Sequence, residues 1–322
     1  MGSAYDAHVS DPRASGSSPT GQQAPFWSLR DERGNPLIDD PMRGKRIPAG
    51  TLVAGKYKVA EPIGRGAYST VYAATQEPMG RAVALKVAGG STDDPVLRAR
   101  FTREARFLAA IDHPNVVRIY ELGWLETGPA AIAMERLSGE TLQQRLDQAG
   151  PMDEAAAVAI LRPVLDALTE VHARSFVHRD LKPANVMLTG PRHAPVPKVL
   201  DFGIGKDLAD QEQLTAAGKF VGTPAYLAPE QMKPKTTVDA RADLYTVGVL
   251  LFQMLTGRLP FVGPGARVIF AVISEPAPKL RTLRADVSPA IEALVARALA
   301  KDPALRYATA EEMSAAMLDA LR

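Results

Sequence analysis

The sequence predicts an α+β chain in which the strands come early and the long helices come late. Three observations carry this. Tyr57, Val59, Val71 and Ala73 alternate with other residues around a glycine turn, the period of two that half-buried strands show. The run AVALKVA, Ala82 to Ala88, is a second strand pattern with one charge in it, Lys86. Downstream, Asp153–Ala173 and Asp239–Leu255 read as helices, and the second is apolar nearly all round from Leu244, the mark of a buried helix.

Composition bounds the rest. A chain of 322 residues is long enough for one large domain or two lobes with tails. Its hydrophobic fraction of 46% excludes wholesale disorder. A net charge of only +2 argues against a dedicated nucleic-acid binder. With no cysteine, disulfides and thiolate metal sites are ruled out; this suits a reducing compartment, and a cytoplasmic location is the expectation. No apolar run approaches the roughly 20 residues a bilayer span needs. The N-terminus lacks a signal-peptide layout, and Asp6 stands where a myristoylation motif requires Ser or Thr.

Residues 1–50 are rich in Ser, Pro, Gly and Asp and poor in large apolar residues. They are expected to form a flexible N-terminal tail that folding does not require. One island within it, PFWSLRDERGNPLI from Pro25 to Ile38, has the apolar content to dock on the folded body.

The first ordered stretch turns at Gly64-Arg65-Gly66-Ala67-Tyr68-Ser69. Two glycines let backbone N–H groups approach an anion without Cβ interference. On its own the turn is a weak signal that reads first as a plain hairpin, and Ser69 stands where the usual motif has a third glycine. A strand follows it, which disfavours the dinucleotide-binding version. Lys86 either snorkels to solvent from its strand or needs a partner. The helical stretch Pro95–Ile111 aligns Leu97, Phe101, Leu108 and Ile111 on one stripe, with Glu104 on the same stripe. A carboxylate on an apolar face is unfavourable unless paired, so Lys86 and Glu104 are each a candidate partner for the other. Pro163 inside Asp153–Ala173 predicts a kink.

The segment FVHRDLKPANVML places His178, Arg179, Asp180, Lys182 and Asn185 close together on a piece that Pro183 keeps from being an ordinary helix. DFG, Asp201 to Gly203, follows a short strand pattern sixteen residues after Asn185.

With these segments in hand, the chain resembles the eukaryotic-type (Hanks-type) serine/threonine protein kinases, in the bacterial style, from Tyr57 to the C-terminus. The resemblance implies a bilobal fold: residues 51–137 a small β-rich N-lobe with helix C and the hinge, residues 138–322 a larger, mainly α-helical C-lobe. It implies transfer of the γ-phosphoryl of ATP to Ser or Thr of protein substrates, with Mg²⁺. Ile63, Gly64, Arg65, Gly66, Val71, Ala84, Lys86, Met134, Glu135 and Leu137 would surround ATP, with Met134 as gatekeeper and the backbone of Glu135 and Leu137 meeting adenine. Lys86 and Glu104 would form the ion pair of the active arrangement. Asp180 would accept or orient the hydroxyl proton, Lys182 would offset charge on the phosphoryl group, and Asn185 and Asp201 would hold Mg²⁺. Lys182, two residues after Asp180, is the Ser/Thr-kinase arrangement.

The resemblance also gives GTPAYLAPE, Gly222 to Glu230, as the end of an activation segment. It pairs Glu230 with Arg306 and has Asp243 brace the catalytic-loop backbone. Thr215 is the expected switch, because a phosphate there can take charge-assisted hydrogen bonds from Arg179. Thr223 belongs to the substrate platform. A transient dimer for autophosphorylation is the expected partner besides protein substrates; nucleic acid and a membrane span are not expected. Two readings from other classes compete. A non-catalytic kinase-like scaffold is disfavoured because every signature residue is present, and a small-molecule kinase is disfavoured by the APE-type segment.

Overall fold

The computed structural model of the protein describes residues 26–36, 47–66, 69–91, 94–202, 224–233 and 236–322. The small lobe is built on strands β1 (Phe26–Trp27), β2 (Leu29–Arg30), β3 (Leu52–Val53), β4 (Tyr57–Arg65), β5 (Ser69–Gln76), β6 (Arg81–Ser91), β7 (Ile119–Leu125) and β8 (Pro129–Glu135). They form one sheet in the order β1-β7-β8-β6-β5-β4-β3-β2. Alternation explains the register: Tyr57 and Val59 of β4 are buried while Lys58 between them is exposed. In β6, Val83, Leu85 and Val87 join the buried cluster on one face. Helix α1 (Pro95–Ala109) is inserted between β6 and β7, starting where the sequence places it, with the Asp94 side chain accepting from Val96 N–H at 2.8 Å. That N-cap satisfies one of the helix's orphan donors.

The sequence reads residues 1–50 as tail, with the island Pro25–Ile38 able to dock and Phe26 and Trp27 as the likeliest exceptions to its dispensability. The island does dock: Phe26–Arg30 is woven into the sheet. Phe26 and Trp27 pair in parallel with Trp124 and Leu125 of β7, and Leu29 and Arg30 pair antiparallel with Val53 and Leu52 of β3. These are the two opposite edges of the sheet, so one short segment joins them. Trp27, Leu29 and Ile47 are each only 2% exposed. Gly123 on β7 makes room: a Cβ there would run into the Trp27 indole.

The large lobe contains α2 (Leu142–Ala149), α3 (Glu154–Ala173), α4 (Arg241–Thr256), α5 (Gly265–Ser274), α6 (Leu280–Leu283), α7 (Pro289–Ala298) and α8 (Ala310–Asp319) among the described residues. A small sheet, β9 (Gly139–Thr141), β10 (Val186–Thr189) and β11 (Val196–Val199), lies in the order β11-β10-β9. Every residue of α4 from Ala242 to Leu255 is buried. Each large apolar side chain buried there contributes about 1.5–3 kcal/mol relative to exposure, so α4 is the rigid post of this lobe. Helix α3 is a single element that contains Pro163, the position at which the sequence predicts a kink. Proline lacks the N–H that would meet the Ala159 carbonyl, and the burial of Val164, Leu165, Ala167 and Leu168 just beyond it offsets the lost bond.

The lobes meet where the chain ahead of β7 lies along β11. Val117 N–H donates to Val199 O at 3.0 Å, Val199 N–H to Asn115 O at 2.8 Å, and the Asn115 carboxamide to Pro197 O at 2.8 Å. Lys198 on β11 also reaches Glu135 at the end of β8 (2.8 Å). This seam fixes the floor of the cleft between the lobes. No helix among the described residues is long and apolar enough to cross a membrane.

Candidate active site

The polar segment singled out in the sequence hangs between α3 and β10. Pro183–Asn185 forms a single 3₁₀ turn, and Arg179 has φ 62°, a conformation bulky residues seldom adopt without being held. Asp243, in the first turn of α4, does the holding. Its Oδ2 accepts from His178 N–H at 2.8 Å and its Oδ1 from Arg179 N–H at 3.0 Å. His172, near the end of α3, adds its Nε2 to Oδ2 at 2.8 Å. Burial pushes the Asp243 carboxyl up, but the hydrogen bond and positive charge of His172, with the N–H of His178, outweigh it and leave it below the usual carboxylate range. The brace expected of Asp243 is thus in place, and His172 is a member of it that the sequence did not disclose.

His178 is fully buried. Its Nδ1 accepts from Asp180 N–H at 3.2 Å, which assigns the proton to Nε2, and Nε2 meets the Leu200 carbonyl at 2.9 Å. Burial depresses its pKa, so the ring is neutral. It lies against Phe202 with centroids 4.6 Å apart. Phe202 meets Phe176 edge-on at 6.4 Å, and Phe176 stacks on Phe107 of α1 at 5.8 Å. An aromatic column therefore runs from the catalytic-loop histidine to α1.

Two groups converge on Asp180. Lys182 Nζ is 3.0 Å from its Oδ2, and Asn185 Nδ2 donates to its carbonyl (2.8 Å) and to Oδ2 (3.1 Å). With Nδ2 engaged, the Asn185 carboxamide offers its Oδ1 to a cation. Across the cleft, Lys86 Nζ stands 2.7 Å from Asp201 Oδ1. Lys86 is thus ion-paired to Asp201; Glu104, the partner that the sequence names for Lys86, lies on α1, half buried. Asp201 has φ 50°, a second residue held in the left-handed region.

Above this polar floor lies an apolar one. Ala84, Val117 and Met134 are buried together, with Val71, Leu137 and Leu200 packed against them. Val71, Ala84, Met134 and Leu137 were expected to meet a base; Val117 and Leu200 complete the cluster, and only the seam between lobes brings them there. A small cavity behind Met134 is bounded by Lys86, Ile119, Ile132, Asp201 and Phe202. Ile63 is exposed at the rim. The N–H of Glu135 donates to Arg118 O at 2.8 Å, so any contact it makes to a ring runs through its carbonyl.

The glycine turn pairs Gly66 N–H with Ser69 O at 2.8 Å. A Cβ at Gly64 would come no nearer than 3.7 Å to another atom and one at Gly66 no nearer than 3.4 Å. Neither has φ in the left-handed region. Packing among the described residues gives no reason for glycine at either place, and a bare backbone there leaves room for an anion to approach. Asn185 and Asp201 supply oxygens of the kind hard Mg²⁺ prefers, and that ion commonly takes one or two protein oxygens plus phosphate. Among the described residues, no group of three or more His, Cys, Asp or Glu could hold a metal ion by itself.

Beside the first turn of α4 Glu230 and Arg306 form the expected pair. Nη1 reaches Oε1 at 2.7 Å and Nη2 reaches Oε2 at 2.8 Å. Gln231 beside it donates to Arg179 O at 3.1 Å, linking this corner to the catalytic loop. Gly203, Thr215 and Thr223 lie outside the described residues.

A family model described as "Protein kinase domain" matches residues 57–317. The chain is 42% identical over 275 residues to serine/threonine-protein kinase pkn3 of Myxococcus xanthus, covering 83% of this chain and 50% of that protein. It is 39% identical over 273 residues to serine/threonine-protein kinase PknB of Mycolicibacterium smegmatis, covering 83% of this chain and 43% of that one. The chain therefore spans about half the length, or less, of these curated relatives. Among solved structures it is similar to the Mycobacterium tuberculosis PknI kinase domain (TM-score 0.68, 28% identity, 85% of this chain and 99% of that one). It is similar also to Rad53 crystallised in complex with AMP-PNP (TM-score 0.67, 27% identity, 80% of this chain and 64% of that one). Protein kinases use ATP and Mg²⁺ and act on protein substrates. Since the brace, the ion pairs and the apolar cluster fall on the matched stretch, the chain belongs to the protein kinase family, with bacterial serine/threonine kinases of the eukaryotic type as its relatives.

Proposed function

We propose that this chain is a serine/threonine protein kinase that transfers the γ-phosphoryl of ATP to protein hydroxyls. The observation that carries this is the convergence of Lys182 and Asn185 on Asp180, across the cleft from Lys86 and Asp201. Asp180 takes or orients the proton of the Ser or Thr hydroxyl as its oxygen bonds to the γ-phosphorus; the bond from that phosphorus to the β-phosphate oxygen breaks and ADP departs. Lys182 offsets charge on the transferring group, and Lys86 holds the α- and β-phosphates. Val71, Ala84, Met134 and Leu137 cover the base, with Ile63 at the rim and the hinge backbone of Glu135 and Leu137 orienting it. Gly64, Arg65 and Gly66 offer backbone N–H groups to the phosphates. Asn185 and Asp201 would hold Mg²⁺, which neutralises phosphate charge when bound. Glu104 on α1 would pair with Lys86, as the resemblance implies.

Thr215 is the proposed autophosphorylation site, modified within a transient dimer, and Thr223 the proposed part of the substrate platform. Incubation of the purified chain with labelled ATP–Mg²⁺ and a generic basic protein tests the reading. Label on Ser and Thr of that protein, and on Thr215 by mass spectrometry, is the expected result. A folded chain that transfers no label would overturn it.

A further inference from the structure

The catalytic machinery makes no use of the segment Phe26–Arg30, yet that segment is closely fitted. Besides its strand pairing, the Trp27 carbonyl accepts from Glu126 N–H at 3.0 Å and the Ser28 carbonyl from Ala54 N–H at 2.9 Å. One peptide thus receives bonds from both edges of the sheet. The Trp27 ring lies on Gly123 and 5.5 Å from the Tyr57 ring.

Phe26 does something different. It is 60% exposed, so burial does not account for its place. Its ring sits 5.6 Å from the Arg98 guanidinium on α1, and the same guanidinium is 4.9 Å from the ring of Trp124, the strand partner of Phe26. Trp124 in turn meets Phe101, one turn further along α1, at 5.2 Å. The strap therefore grips the first half of α1. The second half carries Phe107, the start of the aromatic column through Phe176 to Phe202, the neighbour of Asp201. Contact is continuous from strap to the Lys86–Asp201 pair, and α1 is the element in the middle.

We propose that Phe26 and Trp27 are positioning residues for phosphotransfer: the strap sets the seat of α1 through Arg98 and Trp124, and so sets the geometry around Lys86 and Asp201. This rests on the kinase reading of the site. A strap that served only to close the sheet would change melting temperature and leave turnover alone.

The test uses the full chain with a generic protein substrate, assayed well below the melting temperature. Phe26→Ala, Arg98→Ala and the double variant form a cycle. Each single change is expected to lower kcat about two- to fivefold, the weight of one exposed cation–π contact. The double variant should be no slower than the slower single, with KM for ATP little changed. Phe26→Tyr should restore the rate. Gly123→Ala, which displaces the Trp27 ring, should lower kcat more than Phe26→Ala does. Unchanged kcat in Phe26→Ala, additive losses in the cycle, or no rescue by Tyr overturns the proposal, and the cycle decides even where Gly123→Ala fails to fold. A wild-type chain inert toward ATP and protein overturns the site reading and this inference with it. An active wild type indifferent to the strap overturns this inference alone.

Discussion

Two ion pairs in this molecule involve similar groups and serve opposite ends. Arg306 and Glu230 are 0% and 6% exposed, whereas Lys86 and Asp201 are 20% and 34% exposed. The buried pair is saturated. Beyond its two bonds to Glu230, Arg306 donates to the carbonyls of Ala300 (2.8 Å), Arg241 (3.0 Å) and Lys301 (3.2 Å), so all five guanidinium donors are used. Such a pair offsets its own desolvation only while it is complete. The pair in the cleft has water on one side and contributes little to folding. Its members remain able to exchange partners, which is what groups that meet phosphate and metal must do. Full burial and saturation mark the pair that holds the fold, and partial exposure leaves the other pair the freedom that its proposed chemistry requires.

Four measurements would break or sharpen that contrast. Asp180→Asn should lower kcat by about 10²- to 10⁴-fold while circular dichroism and melting stay near wild type, since the group lost acts on the reacting proton. Lys86→Met should cost about 10²- to 10³-fold in activity and leave the melting temperature within a few degrees; a large fall in melting temperature would place this pair with the structural ones. Arg306→Ala should destabilise by about 3–5 kcal/mol, lowering the melting temperature by roughly 6–20 °C. A variant that melts like wild type would show that the buried pair holds nothing.

The smallest expected effect is with pH. Burial depresses His178 in the folded state, so on acidification the unfolded chain takes up the proton first. The stability His178 contributes is complete above its ordinary value, about pH 6.5, and is lost as pH falls from there toward the depressed folded value, by at most about 1.4 kcal/mol per pH unit for one proton. Urea unfolding at pH 7.5, 6.5 and 5.5 checks this, and flat or rising stability across that range would contradict it. Asp243, also held low, contributes above its ordinary value of 3.8 and is lost only in stronger acid.

Much of the site was legible because its residues are neighbours in sequence or carry obligatory chemistry. Asp180, Lys182 and Asn185 sit within six positions, and Pro183 announces the irregular turn that gathers them. The helix from Pro95, the buried α4 and the early strands follow from periodicity, which local sequence carries directly. Glu230 with Arg306 and Asp243 with the loop were legible only through family resemblance, since 76 and 65 residues separate the partners.

By itself, then, the sequence determined the α+β class, the order of strands and helices, and the identity of the polar groups in the cleft. Tertiary structure alone decided which of those groups touch. It set Asp201 beside Lys86 and His172 behind Asp243, and brought Val117 and Leu200 to the apolar cluster. It also made residues 26–30 a strap between the two sheet edges, where the sequence shows only an apolar island able to dock. The reason in each case is that long-range contacts depend on which surfaces the whole chain leaves unpaired. Trp27 is apolar wherever it sits in the sequence, but the slot over Gly123 exists only once β7 lies at the edge of a folded sheet.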